Sequence, residues 1–352
     1  MRRQIIFIAF VVLFSSCNFK KKGIFADVPI LINNFKKEMI LVPELFVDRA
    51  NSEFNEFSNI ICLNNLVVLS FIDGSDYLFY TYNYEGDSVG FFVGHKGQGP
   101  NDLLNDVYCG QYYVENGRTY MWINDVSKMR ICAIDIEKSL HEGICIIERS
   151  IATAPMIVNG FHSNDSLLIA ERMTGDNYYL LIKNLNTDKI IIEKTIYNYF
   201  LSNPFSIYKS IWRIKPDGAK FVSAMKSINQ LNIGNVFDDQ KISLKIYDHK
   251  PRLDDIVDKE TGIEKHRYYL EVEASSDYIY GLYIDQSLEE IYAKEKPVEI
   301  HVFSWDGIAL CKFIIPQYIE NFAVNEMEGC ILGWDDINEK LYKYKFDKSF
   351  FQ

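Results

Sequence analysis

The sequence predicts an all-β fold, a six-bladed β-propeller closed by an amino-terminal strand that completes the last blade. Three observations predict it. Short apolar runs rich in Tyr and Phe recur along the chain, separated by turn chemistry such as Asp73-Gly74-Ser75-Asp76, Glu115-Asn116-Gly117 and Lys215-Pro216-Asp217-Gly218. The runs fall into blocks of four with a period of roughly 40 to 50 residues, the spacing of propeller blades. The final block is one run short, and the amino end carries a run, Met39 to Val47, that belongs to no block.

Composition agrees. In 352 residues, 48% apolar and 14% aromatic side chains supply a large core, which excludes general disorder. The residues from Asn51 to Asn59 are polar and read as a loop or short helix. The first block holds Leu63 to Ile72, Tyr77 to Tyr84 and Ser88 to Val93. The second holds Val107 to Val114, Arg118 to Ile123, Lys128 to Ile136 and Gly143 to Ile151, with a turn expected at Glu137 to Glu142. The third runs from Met156 to Ile196 and the fourth from Ile211 to Tyr247. A charged connector, Asp248 to Lys265, leads to the fifth, Tyr268 to Ile315, in which Gln286 to Lys296 suits a helical turn or two. The sixth has Ile319 to Val324, Cys330 to Trp334 and Leu341 to Phe346. A single blade cannot bury its own apolar faces, so neighbours must stack, and the spare strand would pair with Leu341 to Phe346 and remove the open edge.

The amino end is an address. Arg2 and Arg3 precede the apolar run Ile5 to Phe14, which is too short for a stable bilayer span, and Leu13-Phe14-Ser15-Ser16-Cys17 follows the pattern of a lipoprotein signal. Residues 1–16 are read as the signal peptide, 17–37 as lipidated Cys17 with a tether, and 38–352 as one propeller domain. The expected location is the bacterial envelope, at the outer membrane facing the periplasm, with the membrane contacted through the lipid anchor. Losing residues 1–16 takes the formal charge from −11 to −13, because that segment holds Arg2 and Arg3 and no acid. Nucleic acid is therefore excluded as a partner, since phosphate must be met by a basic surface. Six cysteines follow Cys17, widely spaced and mostly within apolar runs, and are expected as free core thiols.

Between the first two blocks lies the most distinctive stretch, Gly94-His95-Lys96-Gly97-Gln98-Gly99-Pro100. Placed after a lipoprotein signal and a block of strands, it resembles the corresponding segment of the TolB-like six-bladed propeller family of bacterial lipoproteins. The resemblance spans the mature chain and implies fold and address. That family is largely of unassigned function, so no activity follows from it.

Ligands usually meet propellers at the face carrying the outer-to-inner crossovers and the turns between second and third strands. On that mapping the candidate ligand-binding residues are His95, Lys96, Gln98, Asp125, Lys128, Arg172, Trp334 and Asp335, with Asp176, Lys226 and Asn229 on the same face. The glycines Gly97 and Gly99 are expected to be architectural, held at positive φ or against neighbouring backbone, with His95 or Lys96 the exposed part. No P-loop, no HExxH and no G-x-S-x-G is present, and neither a cofactor nor a metal is implied. The leading expectation is a non-catalytic, membrane-tethered propeller whose rim binds a small molecule, glycan, peptide or envelope protein. The alternative is a propeller lyase or hydrolase using rim carboxylates, such as Asp335 and Asp336, with or without a metal.

Overall fold

The computed structural model describes residues 25, 29–48, 56–74, 76–104, 107–153, 157–164, 166–175, 177–197, 207–247, 256 and 264–351. Cys17, the rim candidate Asp176 and most of the charged connector lie outside them.

Three short strands open the chain: β1 (Ile30–Ile32), β2 (Lys37–Ile40) and β3 (Pro43–Asp48). The first blade is β4 (Glu56–Cys62), β5 (Val67–Asp73), β6 (Asp76–Tyr82) and β7 (Ser88–His95). The second is β8 (Val107–Glu115), β9 (Arg118–Asp125), β10 (Arg130–Asp135) and β11 (Ile147–Ala152), with helix α1 (Ile136–Glu142) inserted before β11. The third is β12 (Ile157–Ser163), β13 (Leu167–Thr174), β14 (Asn177–Asn184) and β15 (Lys189–Thr195). The fourth is β16 (Ser210–Ile214), β17 (Lys220–Met225), β18 (Leu231–Asn235) and β19 (Lys241–Ile246). The fifth is β20 (His266–Ala274), β21 (Tyr278–Ser287), β22 (Val298–Ser304) and β23 (Ala309–Ile315), with helix α2 (Leu288–Ala293) after β21. The sixth is β24 (Asn321–Asn325), β25 (Cys330–Asp335) and β26 (Lys340–Lys345), completed by β3.

The core is a set of seams. Each apolar cluster joins two adjacent blades: Leu66, Phe79 and Phe92 meet Met121 and Ile134 between the first and second, and Tyr280 and Val302 meet Phe322 and Tyr344 between the fifth and sixth. The closing seam sets Trp334 of the last blade flat against Phe57 of the first, with ring centroids 4.4 Å apart. This is the stacking that half-buried blades require.

Closure departs from the expected single strand. The run from Met39 to Val47 splits at Pro43, and only β3 pairs antiparallel with β26, with Leu341 opposite Val47 and Tyr342 opposite Leu45. Before the split, β2 pairs parallel with β23 of the fifth blade, and β1 pairs parallel with β19 of the fourth. Phe25 is buried farther back, edge-on to Tyr197 and Phe221 in the seam between blades three and four. The amino-terminal segment is thus a strap around the outside of half the ring, and the last part of the expected 17–37 tether is folded onto the propeller. It is pinned by Phe35 on the His301 ring at 4.6 Å and by the Glu38–Lys312 ion pair at 3.1 Å.

Two further expectations change. The first block, read as three strands, has a fourth: its inner strand β4 runs Glu56–Cys62, partly inside the stretch read as loop or short helix, and was missed because its apolar part, with Ile60 and Ile61 buried, is short and preceded by polar residues. The expected turn at Glu137 to Glu142 is helix α1, capped by the Asp135 carboxylate on the Lys138 N–H. Among the described cysteines, Cys132, Cys145, Cys311 and Cys330 are buried free thiols and Cys62 is half-buried.

Candidate functional site

The glycine-rich stretch crosses from the outer strand β7 of blade one to blade two, and much of its backbone is bonded locally. The Asp102 carboxylate accepts from the Gly99 N–H at 2.7 Å. Lys128 donates to the carbonyls of Gly99 and Asp102 at 3.0 and 2.7 Å, and Arg130 donates to those of Pro100 and Asp102 at 3.1 and 2.5 Å. Asp125, fully buried, holds Arg130 at 3.4 Å and caps the following turn at the Lys128 N–H. The loop is a latch between blades one and two. Its glycines are architectural, but neither Gly97 nor Gly99 sits at positive φ; a Cβ on Gly99 would lie 2.7 Å from the Asp102 carboxylate. The expected reason is corrected: the constraint is the close approach of a side chain.

The remaining rim candidates are dispersed. His95 is exposed at the end of an outer strand beside Asp76 at 3.2 Å. Lys96 reaches the Gly74 carbonyl at 3.4 Å and lies over the Tyr77 ring, while Gln98 is exposed. Arg172 is ion-paired to Glu193 on β15 of its own blade. Trp334 and Asp335 are 2% and 3% exposed; the first fills the closing seam, and the second caps its turn through the N–H groups of Ile337 and Asn338. Asn229 is likewise buried and bonded to the Ile246 backbone. Asp125, Trp334 and Asp335 cannot touch a ligand in this arrangement, and none of the eight candidates lines the cavities at the channel mouth.

Those cavities open at the opposite face, where each inner strand ends. One, of about 440 Å³, is bounded by Tyr112, Tyr113, Arg149, His162, Arg213 and Pro216. The other, of about 540 Å³, is bounded by Cys62, Tyr112, Glu273, Asp277, Tyr280 and Glu326. Tyr112, Pro216 and Ala274 border both, so the two are chambers of one mouth. The inner strands β4, β8, β12 and β20 all carry register shifts, and such bulges re-aim side chains where a strand lines a site.

Between the chambers stands an ion cluster. Arg213, on β16, donates to Glu273 at 2.7 Å and Glu271 at 3.1 Å, both on β20 and two residues apart, hence on one face of that strand. Burial pushes the Glu273 carboxyl above the usual range and Glu271 adds to the push, with Arg213 opposing both. Burial disfavours the Arg213 cation, but the two carboxylates outweigh it and hold its pKa above the ordinary value. Burial also holds His162 below the usual imidazole value, against the pull of Asp217. Across the second chamber the Tyr280 hydroxyl donates to Glu326 at 2.8 Å. No group of three or more His, Cys, Asp or Glu converges to hold a metal ion among the described residues.

Sequence reasoning missed these residues because it chose the other face. A signal was present: Arg213 interrupts the apolar run Ile211-Trp212-Arg213-Ile214, and Glu271 and Glu273 interrupt Leu270 to Ala274. Charged residues inside inner-strand patterns need partners, and here they mark the channel wall.

Residues 58–327 match the model of the TolB-like 6-blade propeller family. The chain belongs to that family. This TolB-like propeller is similar in structure to a member of the DUF4221 family from Bacteroides vulgatus, with 14% identity over 87% of this chain and 97% of the other and a TM-score of 0.58. It is also similar to a protein of Bacteroides fragilis described as exported, with 12% identity over 91% and 100% and a TM-score of 0.54. At these identities the likeness is one of fold. No curated protein matches the sequence. No helix among the described residues of the TolB-like propeller is long and apolar enough to cross a membrane.

Proposed function

We propose that this TolB-like propeller is an exported, lipid-anchored binding protein, without catalytic activity, whose ligand occupies the paired chambers at the channel mouth. One observation carries the reading: two adjoining cavities, each of a size that holds small molecules, at the point where all six inner strands end. The anchor would be Cys17, holding the protein at the outer membrane on its periplasmic side. Residues 18–24 lie between Cys17 and the buried Phe25, a reach of at most about 30 Å when extended. The strap side of the ring is then the side nearest the lipid.

Native mass spectrometry of protein released from its own envelope tests the binding claim. Wild type should carry a co-purifying small molecule, and Ala274→Trp, which fills the border of both chambers, should not. Equal retention by both would refute the chamber. Cys17→Ser should move the protein from the membrane to the soluble fraction or leave it unprocessed. Unchanged partition would refute the anchor.

Glu273 favours a second reading. A carboxyl at a cavity wall whose pKa burial raises above the ordinary value suits a general acid, and a lyase or hydrolase would use it so. Turnover of a captured ligand that disappears in Glu273→Gln, with binding retained, would select this reading.

A further inference from the structure

The two chambers differ in charge, and this bears on what fits them. Among the described residues, the cationic and imidazole side chains of the mouth border the first, Arg149, His162 and Arg213, with Glu115 as its one carboxylate. The second is bordered, among the described residues, by Glu273, Asp277 and Glu326 and by no Lys, Arg or His. Arg213 is the divider, because it borders the first chamber while its partner Glu273 borders the second. Arg213 is shared between two carboxyls there, and the Glu273 carboxyl borders the second chamber. Tyr112, 40% exposed, forms the neck between them together with Pro216 and Ala274. Resting on the proposed binding role of these chambers, we propose that the ligand is a short peptide with free termini, its ammonium end in the Glu273–Asp277–Glu326 chamber and its carboxylate end toward Arg149.

Each part of the geometry bears on that class. The opposite charges stand in different chambers, so a ligand satisfying both must pass the neck, and a single amino acid, whose charges are one carbon apart, cannot. The carboxylates are spread around the wall without converging as metal ligands, which suits an organic ammonium with three donors. Tyr112 gives that ammonium an aromatic surface, and the Tyr280 hydroxyl fixes the Glu326 carboxylate.

Calorimetric titration with tetra-alanine and its blocked forms tests the proposal. The peptide with free termini should bind, and N-acetylation should weaken it at least tenfold. That penalty should vanish in the double variant Asp277→Asn with Glu326→Gln, whose shapes are conserved. C-terminal amidation should weaken binding to wild type but not to Arg149→Gln. Equal affinity for free and blocked peptide overturns the charge assignment. Failure of tetra-alanine to bind, with binding of neutral cellotetraose that Ala274→Trp abolishes, overturns the peptide and leaves the chamber reading intact. Failure of both probes, with the envelope ligand retained by Ala274→Trp, overturns both.

Discussion

Arg213 of the fourth blade and Glu273 of the fifth meet at 2.7 Å on the channel wall, and each looks into a different chamber. A guanidinium as buried as that of Arg213 is tolerated only when paired, and the pair ties two blades together at the innermost radius of the ring. Arg213→Gln strands two carboxylates there and should destabilise the protein by about 3–5 kcal/mol at neutral pH. Protonation removes the stranded charge, so the deficit relative to wild type should shrink on acidification. Urea melts of both proteins at pH 7 and pH 5 check it; a deficit equal at both pH values would refute the electrostatic cause.

The latch between blades one and two yields a contrast. Gly99→Ala must displace the Asp102 carboxylate from the Gly99 N–H and should cost about 1–2 kcal/mol. Arg130→Ala leaves Asp125 buried without its guanidinium and frees two carbonyls, so it should cost more, about 3–5 kcal/mol. His95→Ala with Gln98→Ala, both exposed, should change the melting temperature little. Thermal melts rank the three, and a His95/Gln98 variant as unstable as Arg130→Ala would contradict the latch.

Strap truncation separates two roles. Removing residues through 36 strips β1 and Phe35 but keeps β3, so the ring stays closed and the protein should remain monomeric with a lower melting temperature. Removing residues through 48 strips the outer strand of blade six, exposes the edge of β26 and should cause aggregation. Size-exclusion chromatography reads the difference. A monomeric, parent-like product of the longer deletion would refute closure by β3.

The pH response follows from His301, buried between Phe35 and Tyr283. Burial holds its pKa below 6.5, against the raising effect of the Glu299 hydrogen bond at 2.7 Å. The unfolded chain therefore binds the proton more readily than the native one. Stability should be complete above about pH 6.5 and fall as pH drops through the folded value, with His162 adding to the loss. His301→Gln, which keeps a donor for Glu299, should flatten the change in melting temperature between pH 7 and pH 5. An unaltered slope would place the titrating group elsewhere.

Periodicity and turn chemistry are local properties, and they determined the fold by themselves. Three or four runs per block, six blocks and a spare amino-terminal strand leave few solutions for the apolar faces except a closed ring, and Val47 does lie opposite Leu341. Where local signals were mixed the reading slipped. Pro43 divides one apolar run into strands serving different blades, and whether Glu56 joins a strand depends on β5 lying beside it. The site was decided by tertiary structure. Asp125 and Lys128 look like rim ligands until the glycine-rich loop and Arg130 are seen folded over them, and Trp334 does until Phe57 covers it. Arg213 and Glu273, 60 residues apart, form a pair only because adjacent inner strands converge on the channel. A sequence records which residues are charged or aromatic; which of them share a cavity depends on how six blades turn about one axis.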